Sequence, residues 1–177
     1  WDNSVTNGSA FTASSTTTYT VTGTDGNNCQ NTAQQTITVN ALPTVTASVT
    51  ETSGSSNNDG TVCNGASVTL NGGGATSYTW DNSVTNGSAF TASSTTTYTV
   101  TGTDGNNCQN TAQQTITVNA LPTVTASVTE TSGLSNNDGT VCNNASVTLS
   151  GGGATSYTWD NSVSDGIAFT ASSTTTY

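Results

Sequence analysis

No lysine, arginine, histidine or methionine occurs in the 177 residues of this chain. The missing cations carry the first conclusions. Neutralising a phosphate backbone takes cationic side chains, so nucleic acid is excluded as a partner. Attraction to an anionic membrane surface is excluded for the same reason. Long apolar runs are missing too, and nothing approaches the roughly 20 apolar residues of a membrane-crossing helix. No membrane insertion is therefore expected. Without His or Lys, the common proton acceptors and amine nucleophiles of catalysis are gone. Ten carboxylates remain and give a formal charge of −10. Asp25, Asp59, Asp81 and Asp104 all stand beside Gly or Asn, where aspartate serves turns. No catalytic residue is assigned, and the chain is read as not an enzyme and as needing no cofactor.

What is present is repetition, a feature to be sought before any other. The string that opens at Trp1 restarts at Trp80 and again at Trp159, a period of 79 residues. The first two copies differ only where Ser55 becomes Leu134, Gly65 becomes Asn144 and Asn71 becomes Ser150. The chain holds two periods and a 19-residue remainder, so it amounts to about two small domains. Thr, Ser, Gly and Asn dominate, a composition often seen in disordered chains. Strict alternation of the apolar residues and regularly placed Trp and Tyr argue for folding instead.

That alternation has the period of β-strands bounded by turn residues. Val45, Ala47 and Val49 alternate with polar residues after Pro43; Val68 and Leu70 share a face, as do Tyr78 and Trp80. Phe90 pairs with Ala92, Tyr98 with Val100 and Gly102, and Ile116 with Val118. No window supports a helix. Six or seven short strands per period mean a β-sandwich or small barrel. A Trp on the third strand and a Tyr opening the penultimate one fit an immunoglobulin-like order. The fold class is thus all-β: tandem immunoglobulin-like β-sandwich repeats of 79 residues. Asn40-Ala41-Leu42-Pro43 and Asn119-Ala120-Leu121-Pro122 are the junctions, giving 1–41 as the end of one repeat, 42–120 as a complete one, and 121–177 as the start of the next. Junctions this short, stiffened by Pro, predict a nearly fixed relation between neighbours. Trp1 opens inside a strand and Tyr177 stops as another begins. The expectation is a window on a longer polymer.

Cysteines stand at 29, 63, 108 and 142, two per period, without the clustered ligands of a zinc site. Small extracellular domains use such pairs as disulfides. The domain frame puts Cys63 and Cys108 in one repeat and predicts a bond between them that closes one end of the sandwich. Cys29 and Cys142 are left to partners outside residues 1–177. A loop of this size stabilises by roughly 4 kcal/mol in the chain-entropy account.

The run VCNGASVTL, GGGATSYTW, TASSTTTYTVTGTDGNNC, TITV resembles the Ig-like or PKD-like tandem repeats of giant secreted surface proteins and adhesins of Bacteroidota. The resemblance covers the whole chain. It implies an Ig-like sandwich, secretion to the cell surface and tandem arrays, with two cysteines bracketing each domain as Cys63 and Cys108 do. The total absence of Lys and Arg departs from the pattern.

Weaker signals stand beside it. The loops carrying Asp59 and Asp104 offer hard oxygen ligands of the kind calcium prefers, though no EF-hand spacing exists and a common Asp-Gly turn explains them better. Asn7, Asn86 and Asn144 begin N-x-S/T strings that arise readily in such a composition. Rows of threonine (Thr99, Thr101, Thr103; Thr115, Thr117) suit an ice-binding face, and also any Thr-rich sandwich exterior. The expected function is a structural segment of an extracellular fibre or cell-surface adhesin stalk, with neighbouring repeats and copies of itself as partners. The alternative is a multivalent module binding a surface carbohydrate or ice, which an exposed Trp80 or Tyr78 would favour.

Overall fold

The computed structural model describes all residues 1–177 and is all-β. It divides into two compact units, Trp1–Asn119 and Ala120–Tyr177. In the first, β1 (Thr17–Thr24) and β2 (Gln30–Ile37) form a two-stranded antiparallel sheet of their own. The seven strands that follow build one complete sandwich: β3 (Thr46–Thr50), β4 (Thr61–Cys63), β5 (Ser67–Gly73), β6 (Ser77–Trp80), β7 (Ala89–Thr91), β8 (Thr96–Thr103) and β9 (Gln109–Asn119). One sheet has the order β3-β5-β7 and the other β4-β9-β8-β6.

The alternation read from the sequence decides which faces meet. Val49 of β3 and Val68 and Leu70 of β5 are buried against Val62 of β4, Trp80 of β6, Tyr98 and Val100 of β8, and Ile116 of β9. Intervening Thr, Ser and Gln residues point outward, where β-branching suits the strand and the polar groups suit water. Phe90 is only half-buried and lies against Tyr98 with ring centroids 5.3 Å apart. Two glycines allow close packing here. A Cβ on Gly72 would come within 2.5 Å of the Tyr78 ring, and one on Gly102 within 2.6 Å of the Val45 side chain. In the GGGA stretch, Gly72 and Gly73 belong to β5 and only Gly74, with φ +82°, lies in the turn.

The sheet order also places the ends of the chain segment. Asn110 Nδ2 donates to the Pro43 carbonyl at 3.0 Å, so the segment enters beside the start of β9. It leaves at Asn119, the far end of the same strand. The two ends of the sandwich are separated by ten residue steps of β9, about 33 Å at strand rise.

The second unit repeats the first sheet. β10 (Thr125–Thr129), β11 (Ala145–Gly152) and β12 (Ala168–Ala171) pair in the order β10-β11-β12. The register Thr125↔Gly152 is Thr46↔Gly73 moved on by one period.

Candidate functional site

The expected disulfide is the first reading the structure corrects. β4 runs parallel to β9 with Cys63 opposite Asn119, at the end where the segment leaves the sandwich. Cys108 directly precedes Gln109, which opens β9 at the other end. A disulfide brings its Cα atoms to roughly 4.4–6.8 Å, whereas these two residues are separated by nearly the whole of β9. All four cysteines are free; Cys29, Cys63 and Cys142 are exposed and Cys108 is half-buried. Sequence reading missed β4 as a strand in its own right, and with it the parallel pairing that carries Cys63 to the opposite pole.

The two calcium candidates are likewise kept apart. Asp59 Oδ1 accepts the Thr61 amide at 2.7 Å, and the neighbouring Gly60 carbonyl accepts from Thr117 near the end of β9. Asp104 Oδ1 accepts the amides of Asn106 at 2.8 Å and Cys108 at 2.9 Å, closing the turn that opens β9. Asn107 takes φ 61° in that turn, a conformation Asn tolerates well. Both carboxylates thus hold turns, at different places on the sandwich. In the matching turn of the preceding repeat, the Cys29 and Asn27 amides hold the Asp25 carboxyl below its ordinary value.

A buried carboxylate was not foreseen. Glu51 is only 3% exposed, and its two oxygens accept the amides of Ser53 at 2.9 Å and Asp59 at 3.0 Å. Its own amide donates to Asn58 Oδ1 at 3.0 Å. The side chain therefore organises the loop between β3 and β4 from within. Glu130 repeats the arrangement with Ser132 and Asp138. The signal in the sequence was a lone Glu ending a strand ahead of a turn-rich loop, and it reads as an ordinary surface residue.

The aromatic face was the discriminating feature for ligand binding. Trp80 is 5% exposed, and its Nε1 donates to Asn86 Oδ1 at 2.9 Å. The same oxygen accepts the Gly72 amide at 2.7 Å. Asn86, which in the sequence only begins an N-x-S string, thus ties β5 to β6 from the loop that follows β6. Tyr78 is half-buried with its hydroxyl donating to the Ala75 carbonyl at 2.6 Å and accepting the Ala75 amide at 2.8 Å. Both bonds tie the Tyr78 hydroxyl back to the backbone three residues upstream. In the last repeat Asp165 replaces Asn86 and takes the same two donors, Trp159 at 2.8 Å and Gly151 at 2.7 Å. Those bonds, that from Trp159 foremost, hold the Asp165 carboxyl below its ordinary value.

The threonine rows face outward, and the hydroxyls of Thr99, Thr103 and Thr115 are engaged. Gln113 donates to Thr99 and Gln109 to Thr103, both at 3.2 Å, and Thr97 and Thr115 bond across the sheet at 2.8 Å. A groove of about 650 Å³ in the second unit is lined by Val147, Leu149, Trp159, Phe169 and Tyr177. These are the counterparts, one period on, of Val68, Leu70, Trp80, Phe90 and Tyr98. The groove therefore lies on the face of the β10-β11-β12 sheet that corresponds to the core face of β3-β5-β7. No protein-family model, curated protein or solved structure matches this chain.

Proposed function

We propose that the chain is a structural segment of an extracellular fibre or cell-surface adhesin stalk, built of immunoglobulin-like repeats. The observation that carries this reading is where the backbone enters and leaves the complete sandwich. Pro43 lies beside Asn110 at one end, and Asn119 ends β9 at the other. The same four residues, Asn-Ala-Leu-Pro, stand at both places. A module that receives and releases the chain at opposite poles through one junction extends by simple repetition, and length is the property that identical copies supply.

The immunoglobulin-like assignment rests on strand order. The sheets β3-β5-β7 and β9-β8-β6 correspond to the A-B-E and G-F-C sets of that architecture, with a buried Trp on the C strand. The burial of Trp80 and the internal bonding of Tyr78 favour the structural reading over a carbohydrate or ice platform. Partners on this reading are neighbouring repeats and further copies of the chain, and the work is mechanical rather than catalytic. Electron microscopy of the native material tests it. Fibres or beaded strands are expected; short, discrete soluble particles would overturn the proposal.

A further inference from the structure

The two cysteines of a repeat lie at opposite poles of one sandwich, and the poles are where one repeat passes the chain to the next. Cys63 pairs with Asn119 in the β4–β9 ladder, and the Asn64 amide donates to the Asn119 carbonyl at 2.8 Å. Asn119 opens the junction Asn119-Ala120-Leu121-Pro122. Cys108 belongs to the other pole. Two residues beyond it, Asn110 holds the carbonyl of Pro43, which closes the identical junction Asn40-Ala41-Leu42-Pro43. Every junction is thus bordered on its upstream side by the Cys63 position and on its downstream side by the Cys108 position. With a 79-residue period these two positions belong to consecutive repeats.

The distances favour this pairing over one within a repeat. Three residue steps from Asn to Pro cover at most about 11 Å, whereas β9 separates the two cysteines of one repeat by about 33 Å. Leu42 and Leu121, 61% and 60% exposed, give both junctions an apolar side chain for an adjoining pole to cover. Neither junction has both of its cysteine positions within residues 1–177: one falls a period before Cys63 and the other a period after Cys108.

We propose that consecutive repeats are bonded pole to pole by a disulfide from the Cys63 position of one to the Cys108 position of the next. Two thiols give up two protons and two electrons to form the S–S bond. A disulfide oxidant, such as oxidised glutathione, accepts them and leaves as two thiols. Each bond closes a loop of one period plus the 45 residues that separate Cys63 from Cys108. Because that loop exceeds a period, successive loops overlap and every peptide bond of an array is spanned. A single backbone cut then leaves the array in one piece. The proposal rests on the extracellular reading in one respect, the need for an oxidising compartment.

The test uses the whole chain continued at its C terminus by a copy of its own Thr20–Ala41, which completes the second sandwich. After refolding with oxidised and reduced glutathione, free thiols are alkylated and the protein is cut before aspartate. Asp25, Asp59, Asp104 and Asp138 put each original cysteine on its own peptide, and Leu134 and Asn144 separate the repeats by mass. The expected product is one cross-link, between the Cys63 peptide and the appended one, with Cys29, Cys108 and Cys142 alkylated. Cys63→Ser should leave the appended cysteine alkylated while the β circular-dichroism signal persists. A bond within one repeat, a Cys63–Cys142 bond, or four alkylated original thiols would overturn the proposal. The same digest of native material tests the compartment separately. Free thiols there, with the pairing reproduced on refolding, would sink the extracellular reading and uphold the polar pairing.

Discussion

Asn86 links the core of the complete sandwich to its backbone through one atom. One amide oxygen accepts from the Trp80 indole and the Gly72 backbone, fixing the largest core side chain against β5. Asp165 performs the same task in the next repeat with a carboxylate, and its two donors favour the ionised form. That difference yields a pH prediction for the complete domain. Asn86→Asp should leave the melting temperature nearly unchanged at neutral pH. A carboxyl whose folded pKa lies below its unfolded value of about 3.9 contributes stability above that value and loses it as pH falls through the folded pKa. The variant's melting temperature should therefore drop away from that of the parent below about pH 4, and thermal unfolding followed by tryptophan fluorescence checks it. Parallel curves down to pH 2.5 would show that the side chain does not hold Trp80 through this bond. The role was not legible beforehand, because an Asn-Gly pair in a turn is ordinary and nothing local marks it as the indole's partner.

Among the elements, the hairpin of β8 and β9 shows how much alternation alone decides. The same residues one period earlier, β1 and β2, pair in the same register, Thr17↔Ile37 matching Thr96↔Ile116, without a second sheet beside them. Tyr19, Val21 and Ile37 are then only half-buried, whereas Tyr98, Val100 and Ile116 are buried. Pairing is thus local, while burial comes from the facing sheet. Gly102 of β8 packs tightly under the segments flanking β3 and β6, and a methyl group there would meet Val45 at 2.6 Å and Ala75 at 2.9 Å. Gly102→Ala should destabilise the domain by about 1–3 kcal/mol, as overpacked cores do. Gly105→Ala, with nothing within 4 Å, should stay within about 0.5 kcal/mol of the parent. Urea unfolding of the two variants decides, and equal midpoints would refute the tight contact. Strand faces and most core residues were readable from the sequence because they follow a period of two. β4 was not, since a three-residue strand has no measurable period and its partner lies more than fifty residues away. That one omission put Cys63 at the wrong pole.

For the molecule as a whole, the length of β9 sets the scale on which repetition acts. The segment enters beside the first residues of this strand and leaves at its last, so a repeat advances the chain by about the strand's own span. Ten steps give about 33 Å, and the Asn-Ala-Leu-Pro junction adds several ångströms more. An array on this plan carries an axial period of roughly 35–45 Å. The figure separates end-to-end repetition from the alternatives. A repeat folded back on its neighbour would advance the chain by little more than the width of a sandwich, about 20–25 Å when two sheets pack about 10 Å apart. Unstructured repeats would give no period at all. The junction's proline and a bond between adjoining poles both oppose bending, so the period should persist over many repeats. Reduction of the native array should then broaden the spacing without changing its mean, because the sandwiches keep their length when the bond across the junction is lost. Layer-line spacing in fibre diffraction, or in averaged images of native filaments before and after a reductant, reads both quantities. A spacing near 22 Å, or one that shifts on reduction with the sandwiches still folded, would refute the end-to-end arrangement.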